Sequence, residues 1–244
     1  MKTLIIISYL ILALSESSHA VVGGKSVTDS KLRNSVVMLF TPSGNCTGIL
    51  LDEKTVITAA HCLLNEDGEK ELNVSVGYFG QSSLPSSLQD AKEVLSYKME
   101  AGKDVGLVFL TDKFSRDEND SLPILSLPEI SDEDEFCLVG TGQNNSMSLQ
   151  ILCDFHFIAQ TKEGTVHIYN QIGSLAGGDH GDSGGPVFRK NAHGILELVG
   201  ILSGGTIYKE NNVETRINVF TKISNPSALN WINKNISNHV QNLF

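Results

Sequence analysis

The sequence predicts an all-β body carrying one C-terminal α-helix, and two observations support this. Short runs rich in Val, Ile and Leu recur along most of the chain, punctuated by Gly, Pro and Asn, which is the pattern of many short strands joined by turns. Helical spacing is confined to the end, where Trp231, Ile232, Ile236, Val240 and Leu243 fall in "NPSALNWINKNISNHVQNLF".

In chain order, Lys2, an apolar run over residues 4–14 and the polar "SESSHA" ending at Ala20 read as an export signal. Cleavage after Ser15 instead would leave residues 16–20 as a short pro-segment. No later apolar stretch approaches the roughly 18 residues of a membrane span. Residues 21–120 hold the first strand-rich half, with "SVVMLF", "TGILL", "KTVITAA", "LNVSVGYF" and "DVGLVFL" as strands and "GQSSLPSSLQ" as a loop. Residues 121–135 are an acidic linker, read as a solvated crossing. Residues 136–226 hold the second half, with strands at "FCLVGTG", "TVHIYNQI", "GPVFRK", "ILELVGILSGG" and "INVFTKI". Residues 227–244 form the helix, with Ser227 near its N-cap.

The net charge is −10, and no Lys/Arg cluster interrupts it. That balance argues for solubility and against nucleic acid or an anionic membrane as the main partner. Four cysteines in an exported chain imply two disulfides. Cys46, Cys62, Cys137 and Cys153 lack the tight pairwise spacing of a zinc site. Three connectivities are possible; the two near-neighbour pairs suggest local staples, each of which would stabilise by about 3 kcal/mol in the chain-entropy account.

"GDSGGP" at residues 181–186 admits a surface turn or a nucleophilic serine. A nucleophile needs a base, and the base needs an orienting group. The G-x-S-x-G elbow of α/β-hydrolases requires acid and then histidine after the serine, on alternating strands and helices. No aspartate follows Ser183 and that alternation is missing, so the elbow reading fails. In the other order, His61 ends the apolar "TVITAAHCL" and Asp104 opens "DVGLVFL". A carboxylate at the mouth of so apolar a strand needs a partner, and an imidazole N–H supplies one.

With these residues in place, the sequence resembles the chymotrypsin-like (trypsin-fold) serine endopeptidases. The resemblance rests on "VVGG" at 21–24, "TAAHC" at 58–62, "DVGLVFL" at 104–110, "GDSGGP" at 181–186, "LVGILSGG" at 198–205 and "VFTKIS…WI" at 219–232. It implies two antiparallel six-stranded β-barrels with the active site in the cleft between them. His61 would take the Ser183 proton, Asp104 would orient the imidazole, and the backbone N–H groups of Gly181 and Ser183 would form the oxyanion hole. The Val21 ammonium, freed by cleavage after Ala20, would pair with Asp182. The resemblance implies a Cys46–Cys62 disulfide, which leaves Cys137–Cys153 as the second. It calls for no cofactor or metal.

Departures from the family bear on specificity. Gly177 stands where trypsins have an aspartate, so a basic residue before the scissile bond loses its partner. Gly178, His180, Ser203, Gly205 and Asn218 would surround the primary pocket, with Asn218 in place of a glycine. Asp179 replaces a cysteine that staples the pocket wall in relatives; a solvated carboxylate is the expectation, and the alternative is an unstapled loop that turns it into the pocket. The expectation is a neutral residue before the scissile bond, small-to-medium or aromatic. The enzyme is expected to be a secreted monomer, extracellular or periplasmic if bacterial, with polypeptide substrates and protein inhibitors as partners. The rival reading is a catalytically inactive homologue acting as a binding or regulatory module.

Overall fold

The computed structural model describes residues 20–71, 73–80, 85, 87–97, 104–114, 129–142 and 148–241. All of the expected export signal (residues 1–20) but Ala20, most of the expected acidic linker and Leu243 lie outside them. The described chain begins with β1 (Lys25–Ser26) and a short helix, α1 (Ser30–Arg33). Then come β2 (Val36–Thr41), β3 (Gly44–Leu50), β4 (Thr55–Thr58), a 3-10 turn (Ala60–Leu63), β5 (Ser75–Tyr78), β6 (Ser87–Tyr97) and β7 (Val105–Leu110). The second half runs β8 (Glu135–Gly140), β9 (Gln150–Gln160), β10 (Thr165–Tyr169), β11 (Pro186–Lys190), β12 (Leu196–Glu210), β13 (Val213–Lys222) and α2 (Pro226–Gln241).

The first half closes into a barrel in the order β2-β3-β4-β7-β6-β5. In the second, β8, β9, β10, β13, β12 and β11 pair in turn, and β11 returns to β8. All these pairings are antiparallel, so the expected architecture of two six-stranded barrels and a C-terminal helix is the one observed. β1 adds to the outside of β9, Lys25 opposite Ile151, so the start of the chain packs on the second barrel.

Two apolar clusters hold the body together. One fills the first barrel and continues through Phe188, Leu198 and Ile201 to Ala228 and Ile232 of α2. The other fills the second barrel with Phe136, Phe155, Val166, Ile168 and Phe220, and it includes Val21. Phe136 and Phe220 pack with ring centroids 5.7 Å apart. Fully burying such a side chain stabilises by roughly 1.5–3 kcal/mol.

Some elements differ from the sequence expectations. β6 begins inside the segment read as a loop, because a polar run can still supply backbone hydrogen bonds that close a barrel; Ser75 pairs with Asp90 there. β12 and β13 run on to Glu210 and Val213, past the expected ends. Asn211 and Asn212 close that hairpin at φ 49° and 64°, the left-handed pair of a type I′ turn, which Asn tolerates. "TAAHC" does not continue the strand, since Ala60–Leu63 turns as a 3-10 element. The α2 cap is Asn225 rather than Ser227. Its Oδ1 accepts from the Ser227 and Ala228 N–H groups at 3.0 and 3.5 Å, and Pro226 occupies the first helical position, where no N–H is needed.

Candidate active site

Strand pairing brings the first two candidate residues together. Thr58 at the end of β4 lies opposite Gly106 in β7, so the turn after β4 and the residue before β7 meet at one rim of the first barrel. There His61 Nδ1 lies 2.7 Å from Asp104 Oδ2. The His61 backbone N–H donates to Asp104 Oδ1 at 3.0 Å. Asp104 is 8 % exposed, and both of its oxygens are held by the same residue.

Ser183 comes from the second barrel, on the loop that leads into β11. His61, Gly181 and Ser183 line a common cavity of about 250 Å³ together with His180. The Cys46–Cys62 disulfide is formed and lies against both sides of this site. Cys62 Sγ is 3.8 Å from His61 Nε2 and 3.7 Å from the Ser183 carbonyl oxygen. Both sulfurs are committed to that bond, so they and His61 are not a thiolate metal site despite their proximity. Cys137–Cys153 is formed as well, across the neighbouring strands β8 and β9.

The serine loop is braced by the first barrel through residues that the sequence reading missed. The Thr47 N–H donates to the Ser183 carbonyl at 2.8 Å. The Thr47 hydroxyl donates to the Gly181 carbonyl at 2.8 Å and accepts the Thr141 N–H at 3.0 Å. With its single proton used, the 2.9 Å contact to Thr141 Oγ1 must have Thr141 as donor. Thr58 Oγ1 donates to the Thr47 carbonyl at 2.7 Å. Gly184 threads between these groups, since a Cβ there would lie 2.0 Å from Thr58 Oγ1 and 2.3 Å from the Thr47 oxygen. Buried threonines inside apolar runs were the available signal, because a buried hydroxyl must find a partner.

Asp182 is fully buried. Its Oδ1 accepts the Gly142 N–H and its Oδ2 the Asp179 N–H, each at 2.9 Å. Burial pushes this carboxyl up to about 7, although the two N–H donors pull the other way. Ala20 and Val21 are buried as well, and Ala20 packs against Gly142, whose N–H Asp182 accepts.

A second cavity of about 370 Å³ opens on the other side of Ser183. Of the residues expected around the primary pocket, Gly178, His180 and Gly205 line it and Gly177, Ser203 and Asn218 do not. Gly177 and Asn218 are buried, with Asn218 Oδ1 accepting the Gly178 N–H at 2.9 Å. Ser203 Oγ lies 3.1 Å from Thr221 Oγ1. Asp179, expected in solvent, lines this cavity, and so does Arg216, which the sequence reading did not single out.

The comparisons with known proteins agree with this architecture. The trypsin family model matches residues 21–232. A chymotrypsin-like elastase family member 1 from Macaca fascicularis is 24 % identical, over 97 % of both chains. A lectizyme from Glossina austeni is 27 % identical, covering 80 % of this chain and 79 % of its own. Among solved structures, a Glu endopeptidase in complex with MPD superposes with a TM-score of 0.68 at 15 % identity, over 88 % of this chain and 98 % of that one, a likeness of fold. The chain belongs to the trypsin family of chymotrypsin-like serine endopeptidases.

Proposed function

We propose that this chain is an exported endopeptidase that cleaves peptide bonds through an acyl-enzyme on Ser183. The observation that carries the reading is the His61–Asp104 pair, at 2.7 Å, on a cavity that Ser183 shares. Asp104 fixes the imidazole with Nδ1 protonated, leaving Nε2 to take the Ser183 proton as Oγ attacks the carbonyl. His61 then hands that proton to the leaving amine, and water repeats the sequence to release the acid. The N–H groups of Gly181 and Ser183 receive the developing oxyanion. Each such donor contributes about 2.7–4 kcal/mol to the transition state.

Cleavage after Ala20 would convert the Val21 nitrogen into an ammonium beside Asp182. This supplies the buried carboxyl with the cation it lacks, and the pair would fix the loop from 179 to 183. The two disulfides support an exported protein. No helix among the described residues is long and apolar enough to cross a membrane. Gly177 leaves no carboxylate at the position that receives a basic substrate side chain in trypsins, which supports non-trypsin-like specificity.

The test uses protein with a free Val21 amino terminus, treated with a fluorophosphonate and mapped by mass spectrometry. An adduct on Ser183 is expected, absent from Ser183→Ala and from a form extended before Val21. Folded protein with free Val21 that takes up no probe would favour the rival reading, an inactive homologue serving as a binding module.

A further inference from the structure

Resting on that reading, we propose that Arg216 makes the primary cavity select an acidic side chain, glutamate or aspartate, immediately before the scissile bond. Arg216 reaches the cavity from β13 and lines it with Ser183. The sequence explains how it fits. A Cβ at Gly177 would lie 3.0 Å from Arg216 Cδ and 2.6 Å from Asn218 Nδ2. The position that carries a carboxylate in trypsins therefore bears no side chain here, and the stem of a cation packs over it. A cation paired with Asp179 at 3.7 Å therefore stands at the pocket in place of a lone carboxylate.

The guanidinium is held, and it forms an ion pair with Asp179 without a hydrogen bond between them, which leaves its remaining N–H donors for a substrate carboxylate. Its Nη1 donates to the Gly178 carbonyl oxygen, which fixes the plane of the group. Asp179 Oδ1 lies 3.7 Å from Nη1, beyond hydrogen-bond distance, and that same oxygen accepts the His180 N–H at 2.9 Å. The Asp179 side chain is 40 % exposed and that of Arg216 is 17 %, so the carboxylate is the better solvated of the two. Arg216 Nε is buried with no partner among the described residues. A guanidinium has five donors and no acceptor, and its planar fork suits a carboxylate.

The other charged or titratable groups on this cavity are Asp179 and His180. An aromatic or aliphatic substrate side chain would strip water from the guanidinium and return no hydrogen bond, which is costly. A lysine or arginine drawn to Asp179 would bring its charge against Arg216, 3.7 Å from the same carboxylate. An acidic side chain gains a charge-assisted contact, tempered by Asp179 at the rim. This replaces the neutral or aromatic preference expected from Gly177 alone.

The experiment uses free-Val21 protein and a peptide set that varies only in the residue before the scissile bond, Glu, Asp, Gln, Ala, Phe or Lys. The expected result is a kcat/KM for Glu or Asp at least tenfold above Gln. Arg216→Gln should collapse that ratio towards one while fluorophosphonate labelling of Ser183 persists. Asp179→Asn, which keeps the backbone N–H bonded to Asp182, should raise the ratio severalfold. Equal or better cleavage after Ala, Phe or Lys overturns the proposal, as does an acidic preference that Arg216→Gln leaves intact. Binding separates this from a failure of catalysis. Ser183→Ala protein should bind the Glu peptide more tightly than the Gln peptide by fluorescence anisotropy, and adding Arg216→Gln should abolish the difference. Equal binding of the two peptides by Ser183→Ala protein would also overturn it, even if the protein never cleaves.

Discussion

Val22 and Gly177 exchange both backbone hydrogen bonds, at 2.8 and 3.0 Å. This isolated bridge ties the residue after the proposed new amino terminus to the residue before Gly178 of the cavity wall. The start of the processed chain and the wall of the specificity pocket therefore move as one unit. The segment after Val21 thus has a backbone route to the cavity wall.

The first prediction concerns Asp182 in the chain still joined through Ala20 to Val21. Burial raises its carboxyl from 3.8 to about 7, so folding favours the protonated form. The stability held below pH 4 is lost progressively as the pH rises from about 4 to about 7, by on the order of 4 kcal/mol for a shift of about three pK units. Urea unfolding at pH 5 and pH 8 should show about 3 kcal/mol of this fall in the continuous chain, since about two of the pK units lie in that window. Asp182→Asn should flatten it, and a free Val21 ammonium should remove it by pairing with the carboxylate. Identical pH slopes in all three proteins would refute the coupling.

A second prediction isolates the brace from the first barrel. Thr47→Val keeps the shape of the side chain but leaves the Gly181 carbonyl and the Thr141 N–H without their partner. Unmet buried groups of this kind cost about 1–3 kcal/mol. If the strain falls on the oxyanion loop, kcat drops about tenfold or more while KM for a short peptide changes little. Thr47→Ser, which retains the hydroxyl, should restore the rate. Steady-state kinetics on the pair decides it.

The triad assignment predicts that Asp104→Asn folds normally, since the side chain remains isosteric, yet loses about 10⁴-fold in kcat. The cause is the imidazole tautomer. A neutral amide at this position would not hold the Nδ1 proton in place, and Nε2 would no longer be free to act as base. Full activity in the folded variant would remove Asp104 from the mechanism.

The two disulfides should separate in their effects. Replacing Cys137 and Cys153 together by serine should lower stability by about 3 kcal/mol with unchanged activity per folded molecule. The same change at Cys46 and Cys62 should reduce stability and also slow catalysis, because that bridge contacts His61 and the Ser183 carbonyl. Denaturant midpoints and burst titration of active sites distinguish the two.

The fold was legible because strand runs such as "DVGLVFL" are buried along their whole length, and apolar composition then reports the strand directly. β6 and the far half of the β12–β13 hairpin were obscured because they are largely exposed and mix polar with apolar residues such as Leu88, Ile207 and Val213; backbone pairing holds both, and an Asn-Asn turn closes the hairpin. His61, Asp104 and Ser183 were legible from short motifs with distinctive flanks. Thr47, Thr58 and Thr141 were not, since their importance lies in contacts across up to 134 residues of sequence separation. Arg216 was hidden for a related reason. Only the pairing of β13 with β12, which sets Asn218 opposite Gly205, shows which neighbouring side chains of β13 reach the cavity.

Each disulfide closes a loop inside a single barrel, Cys46 to Cys62 in the first and Cys137 to Cys153 in the second. These bonds use all four cysteines, so no covalent bridge crosses between the barrels other than the polypeptide itself. One backbone cut anywhere between β7 and β8 would thus yield two separate molecules. They would stay together by packing alone and part on a denaturing gel without any reductant. His61 and Asp104 would travel with one fragment and Ser183 with the other, so the reacting groups themselves would be divided between two chains.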